Sequence, residues 1–126
     1  MRVRRIAVYD TSAKDCHITA QALLECFDKT GIAAKVNEFT GSEEFVFDFR
    51  DNHYDMAFVG IGSMLDMEAA RGVRYLDENC PLFLVSSITE YALEGFRISA
   101  LDYLIKPVTA QRAKEAVERA EPVFRN

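Results

Sequence analysis

Little in this chain invites a metal, a redox centre or a membrane. Its three cysteines, Cys16, Cys26 and Cys80, are odd in number and lack the close pairing of a zinc or redox motif. They read as small core or surface residues. The two histidines, His17 and His53, have no H-x-x-H partner or ligand-spaced carboxylate, which argues against metal binding or phosphotransfer at either. No apolar stretch is long enough to cross a bilayer, and the Met1-Arg2-Val3-Arg4-Arg5 start leads into a run too short for a signal peptide. Glycine is missing from Thr11-Ser12-Ala13-Lys14, where a phosphate-cradling loop would need it. Basic residues number 15 against 20 acidic ones, and the resulting formal charge of -5 repels nucleic acid and anionic lipid. A cytoplasmic protein without membrane or direct DNA contact is expected.

What is present suits one globular domain. At 126 residues, with 49% hydrophobic and 28% charged residues, the chain is long enough to bury a single core and too apolar to be mainly disordered. Its most informative stretch is Met56-Ala57-Phe58-Val59-Gly60-Ile61, which carries no charge and no alternation. Such a run fits a strand buried on both faces, at the middle of a parallel sheet.

A first buried strand is expected over residues 4–9, ending at Asp10. Ser12 and Asp15 then have the spacing of a capping box in its weaker Asp form, opening a helix with Cys16, Ala20, Leu23 and Phe27 on one face. Gly31 stops it. An alternating strand follows over 33–39, then a helix capped by Ser42 with Phe45, Val46 and Phe49 inward and Phe47 outside that face. After the central strand, residues 64–76 read as a third helix with Leu65, Ala69, Val73 and Leu76 inward. A fourth strand spans 82–85 and ends at Ser86-Ser87; a fourth helix is expected over 88–96, a fifth strand over 101–105 and a last helix over 109–120. Five strands alternating with five helices predict parallel βαβ units in the flavodoxin-like order 2-1-3-4-5, an α/β three-layer sandwich. The domain is expected to occupy residues 1–121, with 122–126 a tail or a truncated linker.

The stretch Glu90-Tyr91-Ala92-Leu93-Glu94-Gly95-Phe96, continuing through Ala100-Leu101-Asp102-Tyr103-Leu104-Ile105-Lys106-Pro107-Val108, resembles the receiver domain of bacterial response regulators. It is most similar to the receivers that precede LytTR-type DNA-binding domains, the LytR/AlgR group. The resemblance implies a CheY-like fold and a phosphorylation site at the carboxyl edge of the sheet. In that family an acidic pair after the first strand holds Mg²⁺, an Asp ending the third strand accepts phosphate, a Thr or Ser and a Lys contact the phosphoryl group, and an aromatic on the fifth strand changes burial. By position, Asp10 and Thr11 stand at the acidic pair, Gly60 at the acceptor, Ser86 at the hydroxyl, Lys106 at the lysine, Tyr103 at the aromatic, and Pro107 at the family's cis proline. The acidic side is therefore depleted: Thr11 replaces a carboxylate, Gly60 replaces the nucleophile, and the loop after Gly60 is about two residues short by the same alignment.

One carboxylate is a poor magnesium site, so Mg²⁺ binding is expected to be weak or absent, with no other cofactor. Glycine offers no nucleophile. Lys106, deprived of its usual partners, is expected to contact Asp10, and Asp66 to be a helix-surface carboxylate. Thr11, Ser12, Ser86 and Ser87 have a simple alternative role as helix caps. The expected function is a non-enzymatic pseudo-receiver acting by protein contact, as a homodimer through the fourth helix, fifth strand and fifth helix, where Tyr91 is a candidate interface residue and Arg97, Asp102, Arg112, Glu115 and Arg119 supply both charge signs. Two alternatives stand beside it. One is the receiver of a LytTR-type transcription regulator, answering to a sensor kinase, phosphorylated at an atypical residue and contacting DNA only through a further domain. The other is a small-molecule binder on a flavodoxin-like sheet.

Overall fold

The computed structural model describes residues 2–121. Ten elements alternate: β1 (Arg4–Tyr9), α1 (Ala13–Thr30), β2 (Ala34–Phe39), α2 (Ser42–Asp51), β3 (Met56–Gly60), α3 (Met64–Leu76), β4 (Leu82–Ser86), α4 (Ala92–Arg97), β5 (Asp102–Ile105) and α5 (Ala110–Ala120). The strands form one parallel sheet in the order β2-β1-β3-β4-β5, as the pattern of elements predicts. Residues 122–126, read from sequence as a tail, lie outside the described residues.

β3 is central and every one of its residues is buried. Successive side chains of a strand point to opposite faces, so the unbroken apolar run feeds two cores at once. Met56 and Phe58 join Leu23, Phe27, Ala116 and Val117 on the α1/α5 side. Ala57 and Val59 join Phe45, Phe49, Met67 and Val73 on the α2/α3 side. α1 ends at Gly31, whose left-handed φ of 72° lets its N–H reach Asp28 O while Ile32 N reaches Phe27 O, closing the last turn.

Four sequence expectations need correction. Ser12 caps α1, its Oγ accepting from Asp15 N at 3.2 Å, but Asp15 does not reciprocate: its carboxylate turns to Lys106. Ser42 is the first residue of α2 rather than its cap; Gly41 holds the cap position without a side-chain bond. On α3 the buried face is Asp66, Met67, Ala69, Ala70 and Val73, whereas Leu65 is 79% exposed and Leu76 half-exposed. That helix carries apolar residues on two sides, and spacing alone selected a stripe between them. Finally, α4 is six residues long. Ile88 N donates to Ser86 Oγ and Ile88 O accepts from Tyr103 Oη, which holds the chain after β4 out of helical geometry until Ala92.

Candidate functional site at the carboxyl edge of the sheet

β1, β3, β4 and β5 deliver Asp10, Gly60, Ser86 and Lys106 to one edge of the sheet, where Gly60 pairs with Val85 and Ser86 with Ile105. Asp10 follows β1 and is 4% exposed. Its Oδ1 accepts from Ser12 N at 2.9 Å, the turn an aspartate makes with the backbone two residues on. Its Oδ2 lies 2.7 Å from Lys106 Nζ, the contact expected from sequence. Lys106 Nζ also donates to Asp15 Oδ2 at 3.0 Å, so one ammonium sits between two carboxylates. Burial by itself would lower the Lys106 pKa, but the hydrogen bonds and charges of Asp10 and Asp15 outweigh it and the net shift is upward. The Lys106-Pro107 peptide is cis.

Gly60 stands against this cluster. A Cβ placed on it would lie 2.2 Å from Asp10 Oδ2, 2.5 Å from Asp10 Cγ and 2.9 Å from Asp10 Cβ. The Asp10 carboxylate thus occupies the space that a side chain at position 60 would need. Thr11 is exposed beside it and brings no charge. These residues do not suit a hard divalent cation, since both carboxylates at the edge, Asp10 and Asp15, are turned onto the Lys106 ammonium, which stands where a cation would have to sit. Among the described residues no group of three His, Cys, Asp or Glu side chains could hold a metal. Among the described residues His17 pairs with Glu38, at 3.2 Å, and His53 with Asp55, at 3.3 Å.

The hydroxyl positions are engaged too. Ser86 is fully buried and its Oγ donates to Ile61 O at 2.6 Å, tying β4 to the loop after β3. Tyr103 is half-buried, with its Oη donating to Ile88 O at 2.7 Å.

Asp66 is the residue that sequence reasoning misplaced. It is 3% exposed rather than on the helix surface. Its Oδ1 accepts from Tyr9 Oη at 2.9 Å and its Oδ2 from Gly62 N at 2.8 Å. The three-residue loop 61–63 is therefore pinned from within by the first turn of α3. Burial, the hydrogen bond to Asp66 and the charge on that carboxylate all push the Tyr9 pKa upward. Tyr9 also stacks on Phe45, centroids 5.2 Å apart, which leaves its hydroxyl aimed at α3. Gly62 four residues before an Asp in a helix's first turn was the available signal, because a helix-start carboxylate readily accepts a preceding N–H.

The cysteine thiols are buried, and that burial raises them to about 11 for Cys16 and Cys26 and about 12 for Cys80. Such thiols stay protonated and inert at neutral pH.

This architecture has close counterparts among solved structures. The receiver domain of AraT from Geobacillus stearothermophilus superposes with a TM-score of 0.76 over 98% of each chain at 21% identity. A CheY-like response regulator receiver from Methanospirillum hungatei JF-1 gives 0.75 over 93% of this chain and 92% of its own, at 17% identity. The chain has the CheY-like receiver fold. No protein-family model matches it. Among curated proteins, the transcriptional regulatory protein LytR of Staphylococcus aureus is 24% identical over 87 residues, 68% of this chain and 35% of LytR. The receiver-like chain thus spans about a third of the relatives it matches.

On this receiver fold the six residues expected at an interface fall into two groups. Asp102 is bound within the chain, to Arg112 at 3.3 Å and Arg119 at 3.5 Å, and Arg112 also meets Glu115 at 3.3 Å. Arg97 pairs with Glu94 at 2.9 Å and Tyr91 packs half-buried against the α2/α3-side core. Besides Arg97, α4 and β5 leave large apolar side chains outward: Leu93, Phe96 (81% exposed) and Ile105.

Proposed function

We propose that this chain is a pseudo-receiver: a signalling module of the response-regulator type that has no aspartyl phosphorylation and acts by protein contact. The observation that carries the reading is the position of Asp10. Its carboxylate lies within 2.2 Å of where a side chain at Gly60 would begin, and Lys106 holds it there. A receiver needs that volume for an acceptor carboxylate and the phosphoryl group on it; here the Asp10–Lys106 ion pair occupies it. The lysine that would stabilise transferred phosphate is neutralised by Asp10 and Asp15, and magnesium affinity is correspondingly weak. The chain is not an enzyme in this reading.

The output is a contact through α4, β5 and α5. Exposed Leu93, Phe96 and Ile105 supply the apolar area for a two-fold self-association, and the Asp102, Arg112 and Arg119 cluster, paired within the chain, forms its polar rim. A second reading draws on the similarity to LytR: the chain is the receiver part of a transcription regulator, answering to a sensor kinase and meeting DNA only through another domain.

Titration with beryllofluoride and Mg²⁺, followed by NMR, tests the first point. No saturable shift is expected at Asp10, Ser86 or Lys106, and a saturable one refutes phosphorylation independence. Sedimentation at micromolar concentration tests the second. Dimers that Phe96→Glu and Arg119→Glu disrupt are expected; a monomer indifferent to both substitutions removes the dimer.

A further inference from the structure

The pairing of α2 with α3 leaves a groove of about 340 Å³ on the side of the molecule away from the α1/α5 layer. The two helices approach at Gly72, where an added Cβ would meet the Val46 methyls at 3.5 and 3.6 Å. The groove lies to the N-terminal side of that contact, floored by Val46 and Ala69 and walled by Phe47 and Leu65. Phe47 is 54% and Leu65 79% exposed, and both are surplus to the core that α2 and α3 build with Phe45, Phe49, Met67 and Val73. An amphipathic helix normally spends its apolar residues on one face; α3 has a second one, and it adjoins the one outward phenylalanine of α2.

The charges around the groove say what covers it. Glu43 and Glu44 make no ion pair among the described residues, and Glu68 meets only Arg71 at the surface. Every cation on the two helices is already engaged. Arg50 pairs with Asp51 and lies over the Phe47 ring at 5.2 Å. Arg71 bridges to Glu94 of α4, and Arg74 donates to the carbonyls of Asp77, Cys80, Ile98 and Ser99. A second copy of this face would bring unpaired carboxylates together with no free arginine or lysine from α2 or α3 to meet them. We infer that the α2/α3 groove is a docking site for an amphipathic helix of a partner protein, one that seats an apolar stripe between Phe47 and Leu65 and offers lysine or arginine to Glu43, Glu44 and Glu68. The groove lies across the molecule from α5 and stands whether or not the sheet edge is silent to phosphate.

The test uses the full chain and a synthetic 18-residue helical peptide with leucines at i, i+3, i+4 and i+7 and lysines along one flank, beside the same peptide with glutamates for the lysines. Saturable NMR shifts are expected at Val46, Phe47 and Leu65 with the lysine peptide. Leu65→Ser, and separately Glu43→Lys with Glu44→Lys, weaken binding at least tenfold, while Phe96→Ser leaves it unchanged. All four positions are exposed, and circular dichroism verifies the fold of each variant. Four results overturn the inference: no saturable shift, shifts centred on Leu93 and Phe96, equal binding of the glutamate peptide, or concentration-dependent self-association through Leu65 without peptide.

Discussion

Replacing Gly60 with alanine adds one carbon where the structure has the least room for it. The new Cβ would sit 2.2 Å from Asp10 Oδ2, against the 3.4 Å at which ordinary contact begins. Rotation about χ1 of Asp10 can withdraw Oδ2 and Cγ. It cannot withdraw Asp10 Cβ, which at 2.9 Å is fixed to the backbone, so β1 or β3 must also yield. Overpacking of this kind costs about 1–3 kcal/mol. The turned carboxylate also leaves Ser12 N and Lys106 Nζ, and although Asp15 still serves Lys106, a lost charge-assisted bond adds to the cost. Together the expected destabilisation is about 2–4 kcal/mol. Urea denaturation reads it as a lower midpoint at unchanged slope. The decisive measurement is the double-mutant cycle with Asp10→Ala, because removing the carboxylate removes most of the obstacle: the double variant should be more stable than the two single losses predict by about 1–2 kcal/mol. If the cycle closes additively within about 0.5 kcal/mol, the two positions do not compete for one volume, and the argument for a filled acceptor pocket collapses.

Three further outcomes follow from the same geometry. Tyr9→Phe strips Asp66 of one of its two donors and should cost about 1–3 kcal/mol in thermal or urea unfolding, with the loop 61–63 gaining amide hydrogen exchange first; unchanged exchange there would mean that the loop is held by something else. Because the Lys106 pKa is raised on folding, its contribution is complete below the unfolded lysine value of about 10.4 and fades as pH climbs through the folded value. The stability gap between the natural chain and Lys106→Met should therefore be flat from pH 7 to 9 and narrow above about 10.4; a gap that widens there has the opposite sign and refutes the ion-pair account. Restoring both acids, Thr11→Asp with Gly60→Asp, supplies the missing oxygens but also crowds Asp10. Saturable Mg²⁺ shifts at residues 10, 11 and 60 are expected in the double variant and not in Gly60→Asp alone.

The order and type of the elements were legible from residues alone, for reasons that lie in each case within a few positions of chain. An uncharged run such as Met56 to Ile61 has no polar side to offer solvent, and at six residues it fits a strand covered on both faces better than a helix. Gly31 ended a helix because only glycine takes φ of 72° freely. Alternation of strands and helices with short connections then leaves few topologies, and the observed order β2-β1-β3-β4-β5 is the expected one. The Lys106 contact with Asp10 was also readable, since β1 and β5 of one parallel sheet end at the same edge.

Which face of a helix turns inward was decided by packing. On α3 the apolar residues exceed one stripe, and periodicity had no means of choosing between Leu65 and Met67; the neighbouring α2 and the sheet made that choice. Asp66 illustrates the same limit from the polar side. A lone carboxylate on a helix belongs in water by default, and only the meeting of Tyr9 Oη with Gly62 N, separated from each other by more than fifty positions in the chain, makes its burial tolerable. Local chemistry determined where the backbone bends, pairs and stops. The destination of each charge was settled by atoms brought together from distant strands, because the free energy of a buried carboxylate depends on its neighbours in space and not on its neighbours in sequence.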